Sequence, residues 1–167
     1  YFQEELKRLK TDHIYYYLMH MLTDVKSWER LSSLGIQKWI KDKKEKGQIR
    51  QIGFSYHGNS DMFCQLIDAY DWDFCMIQYN YLDEDYQAGT EGLLYAASKN
   101  LGIVIMEPLR GGSIVSNLSD KINEIIDNAS TKKSPAGWAF KFLYNNPNIS
   151  VVLSGMSNLE QIKENIE

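Results

Sequence analysis

Short apolar runs alternate along the chain with longer segments in which apolar side chains recur at helical spacing. Five of these runs are almost continuously apolar and rich in β-branched or aromatic residues. That pattern is typical of parallel strands buried on both faces. The predicted strands cover residues 14–19, 52–55, 74–78, 103–106 and 151–153.

The segments around these strands have apolar residues three and four positions apart, which predicts amphipathic helices. Ser134 is a predicted N-cap, with proline at the next position. Ser157 and Glu160 have the spacing of a capping box, in which Ser157 is the cap. Gly102 is expected to be the left-handed cap of the preceding helix. The predicted helices begin near residue 2, cover 28–46, 60–70, 91–100 and 118–126, and begin again after residues 134 and 157.

Repeated alternation of strands and helices predicts an α/β fold with a parallel sheet and right-handed crossovers. Five strands form either an open, doubly wound sheet or part of a barrel, and periodicity does not distinguish the two. The chain has 167 residues, whereas a complete eight-stranded β/α barrel takes about 250. A barrel of this length would therefore be partial.

Composition narrows the class of partner. The net charge is −4 and the pI is near 5.4, which argues against a nucleic-acid-binding surface. No apolar run approaches the roughly 18 residues of a membrane-spanning helix, and no secretory signal is visible. We therefore expect a cytoplasmic protein with no membrane contact. Cys64 and Cys75 form no CxxC pair and are expected to be free thiols, so no metal site is predicted.

Polar residues follow the predicted strands at their carboxyl ends, where the catalytic and ligand-binding residues of βα proteins lie. His20 is either a general acid or electrophile, or an ordinary rim histidine. Gln78 is a buried amide that either holds a planar ligand or ties strands together. Glu107 and Arg110 are expected to form an ion pair that holds their loop. Gly155 either lets a phosphate approach the N-terminus of the next helix or marks an ordinary tight turn.

Five motifs in a fixed order connect these strand ends and run over nearly the whole chain. They are residues 9–20 (LKTDHIYYYLMH), 47–55 (GQIRQIGFS), 77–80 (IQYN), 106–112 (MEPLRGG) and 154–165 (SGMSNLEQIKEN). In this order and spacing they resemble the aldo-keto reductase family. The resemblance implies a (β/α)8 barrel of the TIM type, of which this chain would supply strands four to eight. Residues 1–167 would then be a single partial barrel domain that lacks the N-terminal βα units.

The resemblance also implies an activity, the transfer of hydride from NADPH to the carbonyl group of an aldehyde or ketone. His20 would be the catalytic residue that binds and polarises this carbonyl. Ser55 and Gln78 would bond the nicotinamide carboxamide, and Met106 would pack on the nicotinamide ring. Leu109 and Gly112 would line the pyrophosphate path. The residues around the adenosine phosphates and the adenine would be Gly155, Met156, Ser157, Gln161, Glu164 and Asn165.

Some positions depart from the family pattern. Tyr15 stands where an Asp is usual, Tyr56 stands where an Asn is frequent, and Met106 replaces an aromatic residue. Gln161 replaces the Arg that commonly clamps the 2′-phosphate, so the cofactor is NADP or NAD, with NADPH favoured by the resemblance.

The family's Asp, its proton-donating Tyr and its Lys belong to the first three βα units, and no residue of this chain matches them by motif. Tyr15, Tyr16 and Tyr17 are interpreted as packing residues of the first strand. We therefore expect the chain alone to lack turnover. A barrel cut after three strands also exposes two strand edges and an apolar wall, which predicts self-association.

Two other functions stay open. One is a non-catalytic nicotinamide-binding or interaction module. The other is a metal-dependent hydrolase built on His20 and His57, for which the sequence has no ligand spacing.

Overall fold

The computed structural model describes residues 1–166 and has an α/β fold. Its elements in chain order are α1 (Phe2–Leu9), β1 (Ile14–Met19), α2 (Val25–Ser33), α3 (Ile36–Glu45), β2 (Ile49–Tyr56), α4 (Ser60–Asp68), β3 (Phe74–Gln78), α5 (Gly89–Ser98), β4 (Gly102–Met106), a 3-10 turn (Arg110–Gly112), α6 (Asp120–Asn128), α7 (Pro135–Tyr144), β5 (Val151–Val152) and α8 (Leu159–Ile166). No helix among these residues is long and apolar enough to cross a membrane.

The five strands form one sheet in the order β1-β2-β3-β4-β5, and every neighbouring pair is parallel. Each strand therefore lies beside the strand that precedes it in sequence. A doubly wound sheet reverses its strand order at a switch point, whereas a β/α barrel does not. The topology is that of part of a TIM-type barrel wall.

The core lies between one face of this sheet and the helices. Alternate residues of β2 point into it, because side chains along a strand alternate between the two faces. Ile52, Phe54 and Tyr56 are all buried there, together with Ile77 of β3 and Ile105 of β4. Complete burial of one such side chain stabilises the fold by about 1.5–3 kcal/mol.

The opposite face of the sheet lines an apolar hollow of about 460 Å³, bounded by Tyr16, Leu18, Met76 and Val104 among others. Gly53 lies on this face against Phe74. A Cβ at Gly53 would be 2.5 Å from the carbonyl oxygen of Phe74 and 2.7 Å from its ring, so only glycine permits this approach.

The helix boundaries near Gly35 and Gly102 differ from those expected. The predicted helix 28–46 is two helices, α2 and α3, because Gly35 has a φ of 90° and breaks the chain's helical path. The expectation that Gly102 caps α5 is wrong. Asn100 takes the left-handed conformation with a φ of 62°, and Gly102 begins β4. Asn adopts the left-handed conformation more readily than most other residues, because its short polar side chain can hydrogen-bond locally.

Candidate active site

The carboxyl ends of the strands bring the predicted residues to one edge of the sheet. Gln78 at the end of β3 is paired in register with Met106 at the end of β4. Ser55, one residue before the end of β2, is paired with Met76, and His20 directly follows β1. These four residues therefore follow one another along the edge.

Ser55 joins the ends of β1 and β2. Its Oγ accepts a hydrogen bond from the backbone N–H of Met21 at 2.8 Å and lies 3.5 Å from Nδ1 of His20. Ser55 is buried, whereas His20 is exposed. Because the Met21 amide uses Oγ only as an acceptor, the hydroxyl proton of Ser55 stays available for a second partner.

Tyr56 points to the helix side of the sheet, away from this edge. Its Oη donates to the backbone oxygen of Asn59 at 2.8 Å, and burial, followed by the nearby charge of Asp24, raises the pKa of Tyr56 to about 12. Tyr56 is therefore a core residue. Tyr15 and Tyr16, interpreted as packing residues of β1, are exposed in the described structure.

Gln78 is part of a buried polar cluster that the sequence did not reveal. Its Nε2 donates to Asp83 Oδ2 at 2.5 Å, and Nδ2 of Asn80 donates to the same oxygen at 2.7 Å. Nε of Arg110 lies 3.5 Å from this oxygen. The expected ion pair between Arg110 and Glu107 is therefore wrong, because Arg110 reaches back to the loop after β3. The signal available in the sequence was an Asp in the tyrosine-rich turn that follows the strand.

A cavity of about 470 Å³ lies between the segment after β4 and the start of α8. Nine of the eleven residues expected to hold a cofactor line it. They are Met106, Leu109, Gly112, Gly155, Met156, Ser157, Gln161, Glu164 and Asn165. The other two, Ser55 and Gln78, lie on the neighbouring strand ends with His20, outside this lining.

The start of α8 differs by one residue from the predicted capping box. The N-cap is Asn158, whose Oδ1 accepts from the backbone N–H of Gln161 at 2.8 Å. Oε1 of Gln161 in turn accepts from the N–H of Ser157 at 2.8 Å and from its Oγ at 3.1 Å. Asn is as good a cap as Ser, and Gln161 lies at the N3 position counted from Asn158. The two hydrogen bonds from Ser157 hold the side chain of Gln161 at the cavity wall.

Glycines in the cavity wall leave space for a ligand. A Cβ built at Gly111, Gly112 or Gly155 would meet no atom within 4 Å. Gly111 and Gly112 have φ values of 66° and 92°, a left-handed conformation that favours glycine. Gly155 has no positive φ. Neither packing nor backbone conformation requires glycine at residue 155. A group that approaches the backbone closely would require it.

The electrostatics of the cavity are mildly acidic. Of the described residues that line it, Glu107 and Glu164 are charged, and none is Lys or Arg. The first-turn amides of α8, at Leu159 and Glu160, belong to the N–H groups that a helix leaves without an intrahelical partner. Within residues 1–166 no three His, Cys, Asp or Glu side chains form a group that would hold a metal ion.

The partial barrel and the ordered strand-end motifs define a class of protein. The sequence profile of the Aldo/keto reductase family matches residues 1–167, and the chain belongs to this family.

The solved structures that the chain is similar to include the aldo-keto reductase AKR11C1 from Bacillus halodurans in its holo form. The match has a TM-score of 0.77 at 18% identity and covers 99% of this chain and 58% of the other. An aldo/keto reductase from Brucella melitensis matches with a TM-score of 0.72 at 20% identity, covering 99% of this chain and 59% of the other. The chain thus spans somewhat more than half the length of these structures. No curated protein sequence matches it significantly.

Proposed function

We propose that residues 1–167 are a single domain that supplies the dinucleotide-binding part of an aldo-keto reductase barrel, which reduces aldehydes or ketones with NADPH or NADH. The observation that supports this most strongly is the cavity of about 470 Å³, whose lining includes nine residues that the family resemblance assigns to the cofactor. Membership of the aldo/keto reductase family supports the same activity.

The wall of the cavity fits a dinucleotide. Gly155 leaves its backbone open to close approach, and the N-terminus of α8 favours negative charge through its free amides. Leu109 and Gly112 would line the pyrophosphate, while Gln161, Glu164 and Asn165 would surround the adenosine. Toward the strand ends, Met106 would pack on the nicotinamide ring. Ser55 and Gln78 would bond its carboxamide. When bound, the reduced nicotinamide supplies the hydride.

His20 would act on the substrate. Its Nδ1 faces Ser55 at 3.5 Å, and the ring is exposed at the end of β1. When Nε2 carries the proton, it can donate a hydrogen bond to the carbonyl oxygen of an aldehyde or ketone. That bond polarises the carbonyl and stabilises the negative charge that develops on its oxygen.

We propose further that the 167-residue chain binds the cofactor without turnover, because no residue in it matches the family's proton-donating Tyr or its Lys and Asp partners. The purified chain is expected to quench or shift NADPH fluorescence and to leave an aldehyde such as 4-nitrobenzaldehyde unreduced. Carbonyl reduction by the pure chain would contradict this.

The variant Gly155→Ala tests the cavity directly. Overpacking a filled site costs about 1–3 kcal/mol, so the affinity for NADPH is expected to fall about tenfold. The stability of the chain is expected to stay the same or to rise by about 0.4–1 kcal/mol, because alanine restricts the unfolded chain. Affinity unchanged by Gly155→Ala, with the fold intact, would count against the cavity as the cofactor site.

A second candidate function is a non-catalytic nicotinamide-binding module. What favours it is that the resemblance assigns eleven residues of this chain to the cofactor and only one, His20, to catalysis. NADPH binding without turnover in the full-length parent protein would support it, and turnover there would exclude it.

A further inference from the structure

Asp83 lies in the loop after β3, in contact with Gln78 of the candidate site, although it does not line the cavity. Two side-chain amides, those of Gln78 and Asn80, donate to its Oδ2 at 2.5 and 2.7 Å, and Nε of Arg110 lies 3.5 Å away. Asp83 is only 7% exposed. Burial of a carboxylate is costly unless it is paired and hydrogen-bonded, and a satisfied buried network of this kind fixes the orientation of its members.

The carboxylate decides which end of the Gln78 amide faces it. A carboxylate accepts hydrogen bonds and has none to donate, so the atom of Gln78 that faces Asp83 is Nε2. The acceptor Oε1 is then on the other side of the amide group. Without Asp83 the amide is free to turn over, because its oxygen and nitrogen are nearly equal in size and differ only in that the oxygen accepts hydrogen bonds and the nitrogen donates them.

We propose that Asp83 is a positioning residue that holds Gln78 with its Oε1 available to the NH₂ group of the nicotinamide carboxamide. This inference rests on the proposed function, in which Gln78 bonds that carboxamide. Asp83 acts through Gln78 and does not itself touch the ligand.

The same cluster also holds the loop after β4. Nδ2 of Asn80 lies 3.5 Å from the backbone oxygen of Glu107, and the N–H of Tyr79 donates to the oxygen of Met106 at 3.4 Å. Loss of Asp83 is therefore expected to loosen both Gln78 and the loop after β4, which would line the pyrophosphate. The experiment has to separate these two effects.

Titration of the whole chain with two ligands separates them. NADPH contains the nicotinamide, whereas 2′-phospho-ADP-ribose contains everything except the nicotinamide. In Asp83→Leu, the ratio of NADPH affinity to 2′-phospho-ADP-ribose affinity, measured by calorimetry, is expected to fall about tenfold. Oε1 of Gln78 is then no longer held toward the carboxamide, and a buried hydrogen-bonding group left unpaired lowers affinity by about that factor. If Asp83 held only the loop, its loss would lower the affinity for both ligands by the same factor and leave the ratio unchanged. An unchanged ratio would therefore overturn the proposal.

A double-mutant cycle tests whether Asp83 acts through Gln78. Gln78→Leu alone should lower the ratio, and Asp83→Leu in that background should lower it no further. A further tenfold fall would overturn the proposal. Asp85→Asn is the matched control: it removes a charge from an exposed residue of the same loop and should leave both affinities unchanged.

A second variant covers the case in which Asp83→Leu does not fold. Asp83→Asn conserves volume and keeps one acceptor oxygen for Gln78, Asn80 and Arg110. Without the negative charge, that oxygen accepts weaker hydrogen bonds and holds Gln78 less firmly. The affinity ratio is expected to fall in Asp83→Asn as well, but by less than in Asp83→Leu.

An NMR measurement needs no ligand. The side-chain amide protons of Gln78 should exchange slowly in the wild-type chain and faster in Asp83→Asn. Equal exchange rates would overturn the proposal. If the wild-type chain binds neither ligand, the proposed function fails, and the NMR comparison alone decides whether Asp83 holds Gln78.

Discussion

Gln161 shows how a single side chain combines a structural contact with a place in the candidate site. Its Oε1 accepts two hydrogen bonds from Ser157, and the same side chain lines the cavity. The family resemblance gives this position to an Arg that clamps the 2′-phosphate of NADPH. The lining residues as described contain no Lys or Arg to replace that charge.

The change Gln161→Arg is expected to raise the ratio of NADPH affinity to NADH affinity about tenfold, because a charge-assisted bond to a phosphate is worth about 1.5–3 kcal/mol. Fluorescence titration with both dinucleotides measures the ratio. Gln65→Arg adds the same charge at an exposed position of α4 and should leave the ratio unchanged. A ratio that moves equally in both variants would show that the effect is only one of net charge.

Tyr56 gives the chain a dependence on alkaline pH. Burial raises its pKa to about 12, whereas a tyrosine in the unfolded chain titrates near 10. The folded state therefore favours the protonated phenol. This contribution to stability is complete below pH 10 and is lost as the pH rises from 10 to 12.

The expected result for Tyr56→Phe is a shallower fall in melting temperature between pH 10 and 12 than in the wild-type chain, measured by circular dichroism. Its melting temperature at pH 8 should be lower, because the hydrogen bond to Asn59 is lost. Tyr144→Phe, at an exposed position of α7, is the control and should follow the wild-type curve. A Tyr56→Phe curve that runs parallel to the wild-type curve would contradict the assignment.

At the scale of elements, the break at Gly35 determines how the segment after β1 packs. Trp28 of α2 and Ile40 of α3 are both buried. On one straight helix, twelve residues apart, they would point about 120° away from each other. With the break, Trp28 packs against Trp72 with ring centroids 4.7 Å apart, while Ile40 joins the same core from α3. Apolar periodicity alone predicts one continuous helix over residues 28–46.

Gly35→Ala is expected to lower the free energy of unfolding by about 1 kcal/mol, because alanine resists the left-handed conformation. Urea denaturation measures the free energy of unfolding. The control is Lys38→Ala, at an exposed position of α3. NADPH affinity should not change, which is the reverse of the result expected for Gly155→Ala. An unfolding free energy equal to that of the wild type would show that the break does not depend on glycine.

At the scale of the whole molecule, the sheet leaves apolar surface open. In the described part of the chain, β1 and β5 each pair on one side only. The face that bears Tyr16 and Leu18 lines a hollow of about 460 Å³, and Tyr16 is 69% exposed. Unpaired edges and apolar patches of this kind favour association with other chains.

The chain is therefore expected to self-associate through these edges, with a mass above 19.4 kDa that rises with concentration in light scattering. Tyr16→Lys should lower the association, because a charge on an edge strand opposes pairing. Tyr144→Lys changes an exposed residue of α7 and should have little effect. A concentration-independent monomer would contradict the expectation.

Much of the fold followed from the sequence because its signals are local. Apolar runs placed the strands within a few residues, and the βα alternation determined that they are parallel. The nine predicted residues from Met106 to Asn165 line one cavity, since they cluster in two segments that strand ends bring together. Their binding of a dinucleotide stays a prediction.

Only the tertiary structure decided which side chains from different elements meet. It identified the partner of Arg110 as Asp83, and it showed that Gln78 and Asn80 share that carboxylate. It also distinguished a barrel wall from a doubly wound sheet through the strand order. Hydrophobic periodicity reports which face of an element is buried. It carries no information about distances between elements, and those distances determine hydrogen bonds, ion pairs and the shape of a site.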